Sequence, residues 1–520
     1  MYTEDKKNIG RNIVIYNAIK KLTSNRNDSV ILNNRIVTCY YEKCYTMLHE
    51  SRRYEDIDFK VLDNWLQFNN SICFTKKAEN LKVLYLSGPN PENDLEEFLK
   101  NGVIIENIWA LEFNDTLFEE AVESMSCFWT DKLKLYKSKI ETFLKIYPNK
   151  FDIIYADFTG SFLSRETKPY KAIHSIFENH ALTDISVLII NTTKMDQTED
   201  NSYLLSSYFL NQQFVDASIY GKNDVDFVEG PDCHGIIELD SMKDVINKYF
   251  DNAYSAFQTH YLIYLPTIIL PSIRNIAVPE IKKYIFNEKL VDELFAKFQN
   301  INGIFEDNDF IAGEFFLNKT SYPFLHFLHL LKKNKSPMIS SFSNFYFQDK
   351  VDNITRYDAV KLSNLLRASF EGYWDVLNDK FKTKIIDTAN LIFDRNNLFF
   401  CDVPLEHLWY ELIYNQMGYP YQFNTKQIER YSYIAKTREM YIDMIVYDKC
   451  RNLYDYIPSL EFLPSFVSDF SSQVLMRILI DIIHKNSFWM VRELYSGASV
   501  LDIFHTYDSI ENNYRNRIIL

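Results

Sequence analysis

Glu112 and Asp157 are the two carboxylates of this 520-residue chain whose settings read as chemistry. Each closes an apolar run, Ile108-Trp109-Ala110-Leu111 before Glu112 and Phe151–Ala156 before Asp157. Upstream, Val83-Leu84-Tyr85-Leu86-Ser87 enters Gly88 and the polar turn Pro89-Asn90-Pro91-Glu92-Asn93-Asp94, and the amphipathic stretch Leu95–Lys100 follows. A strand, a glycine-containing turn, a helix and a second strand ending in an acid are how a doubly wound α/β sheet holds a nucleoside cofactor. Glu112 can accept both ribose hydroxyls with its two oxygens. Gly88 lets backbone come close to the ligand, where a Cβ would collide. The helix starting near Asp94 offers N–H groups without intrahelical partners. Asp157, at a strand end, suits the orientation of a cationic centre or a substrate donor.

Alternating elements must position these groups. The spacing predicts strands over Lys82–Ser87, Ile108–Glu112, Leu133–Lys137, Phe151–Ala156 and Ile185–Asn191. Helices are expected over Asp94–Asn101, Thr116–Ser124, Lys139–Ile146 and Pro169–His180. Near-continuous apolar strands separated by helices require a parallel sheet covered on both faces. Residues 1–80 read as a mixed cap, with a helix over Asn12–Leu22, a strand pair within Val30–Tyr41 and a helix over Ile57–Phe68. Residues 221–240, rich in Gly, Pro and acids, read as a linker after a sheet domain over 81–220. Residues 241–520 read as largely helical, with amphipathic runs at Tyr357–Phe370, Glu406–Met417, Gln427–Tyr447 and Gln473–His484.

At its central motifs the chain resembles the class I S-adenosylmethionine-dependent methyltransferases. Val83–Asp94 around Gly88 matches the family's first motif, Glu112 its second and Asp157-Phe158 its fourth. The resemblance covers about 81–195, roughly a quarter of the chain. It implies a Rossmann-like parallel core, S-adenosylmethionine as cofactor and methyl transfer to an acceptor chosen by the helical C-terminal region. By the same resemblance Ser87, Gly88, Pro89, Asn90, Asp94, Glu112, Phe113, Ser138 and Asp157 hold the cofactor. Asp157 acts at the reacting edge, with Tyr155 and Ser161 as further catalytic candidates. The chain departs from the family in three ways. Its turn has one glycine and two prolines, Lys137-Ser138 replaces the acid after strand three, and the closing β-hairpin is hard to find unless Tyr261–Leu270 supplies part of it.

Other cofactor classes fit less well. No G-x-G-x-x-G or P-loop is present, and Pro89 and Pro91 remove two N–H donors that a pyrophosphate would need. Asp157-Phe158-Thr159-Gly160 lacks the Pro-Pro-Tyr of amino-directed base methyltransferases and the Pro-Cys of C5-cytosine enzymes. His326 and His329 share a helix face but lack an acidic partner, and Cys233-His234 stands alone, so no metal site is read. The net charge of −14 disfavours a surface wholly devoted to nucleic acid, yet leaves room for a local basic groove. Pro420–Pro458 interleaves Tyr with Lys and Arg, but five acids nearly balance the cations. Seven scattered cysteines and no membrane-spanning stretch point to a soluble, cytoplasmic protein without membrane association. A second reading stands beside the enzyme: a non-catalytic Rossmann-like scaffold, binding a protein partner or a second copy within a larger assembly.

Overall fold

The computed structural model describes residues 2–31, 60–126, 132–210, 239–299, 323–351, 353–369, 374–392, 419–451 and 515–518, with scattered positions between 33 and 46. The protein is a mixed α/β fold around a mostly parallel nine-stranded sheet. Its first five strands are β1 (Val83–Leu86), β2 (Ile108–Glu112), β3 (Lys134–Lys137), β4 (Phe151–Asp157) and β5 (Leu182–Thr193). A separate small hairpin follows, β6 (Lys350–Val351) with β7 (Ile354–Thr355). The main sheet is completed by β8 (Gln422–Phe423), β9 (Glu429–Ala435), β10 (Arg438–Asp448) and β11 (Asn516–Arg517). Spatial order is β3-β2-β1-β4-β5-β10-β9-β11, with β8 beside β10. Strands β1 to β5 pair in parallel, whereas β10 runs antiparallel to β5, from Met440↔Thr193 to Asp448↔Ile185.

The central strands β1, β2, β4 and β5 are apolar because both faces are covered. One face receives α1 (Tyr2–Leu22), whose Val14, Ile15, Ala18, Ile19 and Leu22 pack on Val83, Tyr85, Ile153, Tyr155, Val187 and Ile189. Gly10 lets α1 approach closely, since a Cβ there would lie 3.2 Å from Ile518 Cδ1 and 3.4 Å from Ile442 Cδ1. The other face buries Leu84, Trp109, Ile154, Leu188 and Tyr447 beneath helices that include Pro169–Glu178, Phe250–Tyr264 and Pro337–Phe347. Within that layer His174 Nε2 meets the hydroxyls of Tyr261 at 2.9 Å and Tyr346 at 3.0 Å, which satisfies polar groups that burial would otherwise penalise.

The five parallel strands and the helices between them fall within a few residues of the sequence expectation. Three expectations are corrected. Gln427–Tyr447 is not a helix but the antiparallel pair β9–β10, turning at Lys436 with φ +55°. Because β10 is buried on both faces, its apolar residues do not alternate and mimic a helical spacing. Tyr261–Leu270 supplies no hairpin: the Phe250–Tyr264 helix passes through a π-turn at Leu265–Ile269, where Pro266 interrupts the α pattern, into the Leu270–Ala277 helix. In the stretch read as a strand pair, Arg35, Ile36, Thr38 and Cys39 are helical. The expected helical character beyond residue 240 holds for 239–299, 323–347, 356–369 and 379–392. The 221–238 linker, Cys233-His234, and the runs Glu406–Met417 and Gln473–His484 lie outside the described residues. Among the described residues no helix is long and apolar enough to cross a membrane.

Strand β10 is anchored by charge as well as by its ladder. Asp443, fully buried, accepts Gln258 Nε2 at 2.5 Å, Thr259 Oγ1 at 2.8 Å and Arg515 Nη2 at 2.9 Å, with Arg430 Nε at 3.6 Å. Burial, with Arg515 alongside, pushes the Arg430 guanidinium down to about 9. Replacing Asp443 by Ala leaves two buried guanidiniums facing each other, so Asp443→Ala is expected to cost about 3–5 kcal/mol in urea unfolding. A loss below about 1 kcal/mol would show that the cluster is solvated.

Candidate functional site

The carboxyl edge of the parallel strands gathers most of the residues singled out by the sequence. Because side chains alternate along a strand, Ser87, Glu112, Asp157 and Asn191 all project toward the α1 face. Gly88 has φ +61°, a left-handed conformation that glycine adopts without strain, and no heavy atom lies within 4 Å of where its Cβ would be. Its backbone therefore requires glycine before any ligand is considered. The Tyr85 hydroxyl donates to Pro91 O at 2.9 Å and braces the turn that opens the Glu92–Lys100 helix. Glu92 Oε2 accepts the Ser124 hydroxyl at 2.8 Å, tying that helix to Asp115–Ser126 across the rim.

Glu112 is 8% exposed. Its Oε1 accepts the Asn114 N–H at 2.7 Å, and no cation pairs with it among the described residues. The Ser138 N–H donates to Glu112 O at 3.0 Å, bringing the end of β3 alongside. Phe113 is half exposed next to it, with Lys139 Nζ 5.5 Å from its ring centroid. A buried carboxylate with a free oxygen, a half-exposed ring and an open glycine turn form a setting that can accept hydroxyl donors and stack a flat heterocycle.

The other two carboxylates are already engaged. The sheet-facing stripe of α1 changes from apolar to cationic where it crosses the carboxyl edge, continuing as Arg11 and Lys7. Arg11 Nε meets Asp94 Oδ1 at 2.5 Å, with Asp94 only 3% exposed. Asp94 is thus turned toward α1 rather than offered to a ligand. Lys7 Nζ meets Asp157 Oδ2 at 2.8 Å, and Asn191 Nδ2 donates to Asp157 Oδ1 at 2.8 Å and to the Tyr433 hydroxyl at 2.7 Å. The Asn191 amide oxygen is buried and has no hydrogen-bond partner among the described residues.

The catalytic candidates are brought together only in part. Tyr155 lies two residues before Asp157 on the same face, but its ring is buried against α1, and burial holds its hydroxyl well above the ordinary tyrosine value. Ser161 belongs to the loop after β4, which Phe158, Phe162 and Leu163 anchor in the opposite layer, with the Phe162 N–H donating to the Tyr254 hydroxyl at 3.1 Å. Sequence reasoning missed Lys7, Arg11, Asn191 and Tyr433. The one available signal was a Lys/Arg pair four residues apart on the N-terminal helix, in line with its apolar stripe.

His326 is buried, and His329 Nε2 meets the Tyr357 hydroxyl at 2.9 Å. Among the described residues no three His, Cys, Asp or Glu side chains are grouped to hold a metal ion. No family model matches this chain, and no curated protein matches it.

Burial raises Asp94 to about 6, with Arg11 opposing and Asp157 adding to the rise. An acid whose folded value exceeds its unfolded one binds its proton more tightly in the folded state between about pH 4 and 6. Its contribution to stability is therefore greatest below that window and falls as pH rises through it. Urea midpoints measured from pH 4 to 7 should decline less steeply in Asp94→Asn than in the parent. Parallel curves would show that Asp94 is ionised throughout.

Proposed function

We propose that this chain is an S-adenosylmethionine-dependent methyltransferase of Rossmann-like fold, with α1 strapped across part of its cofactor rim. The observation that carries the reading is Glu112, a buried carboxylate without a cation at the end of β2, beside the open Gly88 turn. Its Oε1 is held by the Asn114 N–H, and its second oxygen, which no described residue answers, is placed to accept ribose hydroxyl donors. The order β3-β2-β1-β4-β5 supports the reading by placing β1 where chain direction across the sheet reverses. The antiparallel pair β9–β10 supports it too, since it is a closing hairpin of the kind the resemblance calls for. In this arrangement Ser87, Gly88, Pro89 and Asn90 hold the amino-acid end of the cofactor, Glu112 the ribose, and Phe113 and Ser138 flank the base. Bound there, the cofactor supplies an electrophilic methyl group. The protein's own contribution is positional: Asp157, steadied by Asn191, orients the acceptor donor. Lys7 must leave Asp157 for that role, so α1 regulates access to the reacting edge.

A second reading is favoured by the ion pairs themselves. Lys7 and Arg11 already neutralise Asp157 and Asp94, as a non-catalytic scaffold serving a protein partner or a second copy would retain them. Either version is read as a soluble, cytoplasmic protein, which the unbridged cysteines Cys39 and Cys73 among the described residues support.

Titration calorimetry with S-adenosylmethionine and S-adenosylhomocysteine separates the two readings. Submillimolar binding that Glu112→Ala weakens by about tenfold or more is expected for the enzyme, the loss of charge-assisted hydrogen bonds to two hydroxyls. Silence from both ligands in the parent chain would leave the scaffold.

A further inference from the structure

The two ion pairs that tie α1 to the carboxyl edge differ in how far they open to solvent. The Arg11 and Asp94 side chains are 8% and 4% exposed, whereas those of Lys7 and Asp157 are 40% and 12% exposed. A pair as open as Lys7–Asp157 is weak, and rotation of the lysine about its flexible stem vacates the carboxylate without moving the helix. Asp157 is the fixed member, because Asn191 Nδ2 holds its Oδ1 at 2.8 Å. Its other oxygen, Oδ2, is thereby presented in one direction, and Lys7 Nζ meets it at 2.8 Å. A second acceptor is left over at the same place. Asn191 is 1% exposed, and its amide oxygen is buried without a hydrogen-bond partner among the described residues. Lys7, Arg11, Asp94 and Asp157 interact as a group of two cations and two carboxylates. Withdrawing Lys7 leaves that group one negative charge, which a single cation answers.

We propose that the acceptor subsite at Asp157 is built for a primary alkylammonium, and that Lys7 is the chain's own stand-in for it. A guanidinium pairs best with both oxygens of a carboxylate, and Asn191 has already taken one of them. An ammonium needs a single carboxylate oxygen, and it brings two further N–H donors for which the Asn191 amide oxygen is an available acceptor. The group that occupies Oδ2 is itself an ammonium on a four-carbon stem. Lys7 is then a pseudosubstrate, which the true acceptor displaces at small cost because the pair is half exposed. That the amine receives a methyl group rests on the methyltransferase reading; its recognition by Asp157 does not. For transfer the amine gives its proton to Asp157 Oδ2 or to water, its lone pair forms the bond to the methyl carbon, and the electron pair of the broken carbon–sulfur bond stays on sulfur.

The full chain is titrated calorimetrically with n-butylammonium and n-butylguanidinium chlorides, with and without S-adenosylhomocysteine. Lys7→Gln removes the internal occupant and is expected to tighten butylammonium binding about three- to fivefold, the worth of a half-exposed ion pair. Asp157→Asn is expected to weaken it by about tenfold or more, and butylguanidinium to bind less tightly than butylammonium. Urea unfolding of both variants checks that the fold is kept, and Lys7→Gln alone suffices should Asp157→Asn not fold. Spermidine and a short peptide with one lysine then separate the two sources of such an amine, a free polyamine and a protein side chain. Butylammonium binding by a chain that ignores S-adenosylhomocysteine would remove the methyltransferase and keep the amine site. Absence of butylammonium binding by Lys7→Gln, binding that Asp157→Asn leaves intact, or a preference for butylguanidinium overturns the proposal.

Discussion

The change of character along one face of α1 organises the rest of the molecule. Leu22, Ile19, Ala18, Ile15 and Val14 give that face its apolar grip on the sheet, and Arg11 and Lys7 extend it over the carboxyl edge as charge. The Arg11–Asp94 pair is almost wholly buried, so breaking it would strand a charge on either side. The far end of the helix is pinned as well, where Lys21 Nζ meets Glu429 Oε1 at 2.8 Å. An N-terminal segment is thereby bound to a strand some four hundred residues away. The same contacts decide what the carboxyl rim can do. Asp94 and Asp157 are answered from within the chain, and Glu112 alone keeps an oxygen for something else.

Strand β10 is the second organising element. It pairs with β5 over nine positions and with β9 on its other side, so the sheet is completed by residues remote from its first five strands. Asp443 ties it to the Phe250–Tyr264 helix through Gln258 and Thr259, and to Arg515 near the end of the chain. Helices between β5 and β9 thus lie on the sheet rather than apart from it, and their aromatic residues fill the layer opposite α1.

At the carboxyl edge three acids collect, two of them met by cations from α1. At the amino edge Lys449 and Arg451 lie within ion-pair distance of Asp184. In the proposed reading, the carboxyl edge takes a cofactor with hydroxyl groups.

The amino-acid sequence by itself determined the five parallel strands, the helices between them and the strand ends where Gly88, Glu112 and Asp157 lie. Those features are local: apolar runs of strand length, a glycine turn and acids at the boundaries signal themselves within about ten residues. Only the tertiary structure decided what these groups meet. Lys7 and Arg11 are unremarkable in the sequence, and their partners lie beyond any window a pattern can span. The β9–β10 pair escaped for a related reason. Burial on both faces erased its alternation, and its turn at Lys436 carries no Asn-Gly or Asp-Gly signal. Sheet closure and the pairing of buried charges depend on which surfaces come together, and that information is held by the whole chain rather than by any stretch of it.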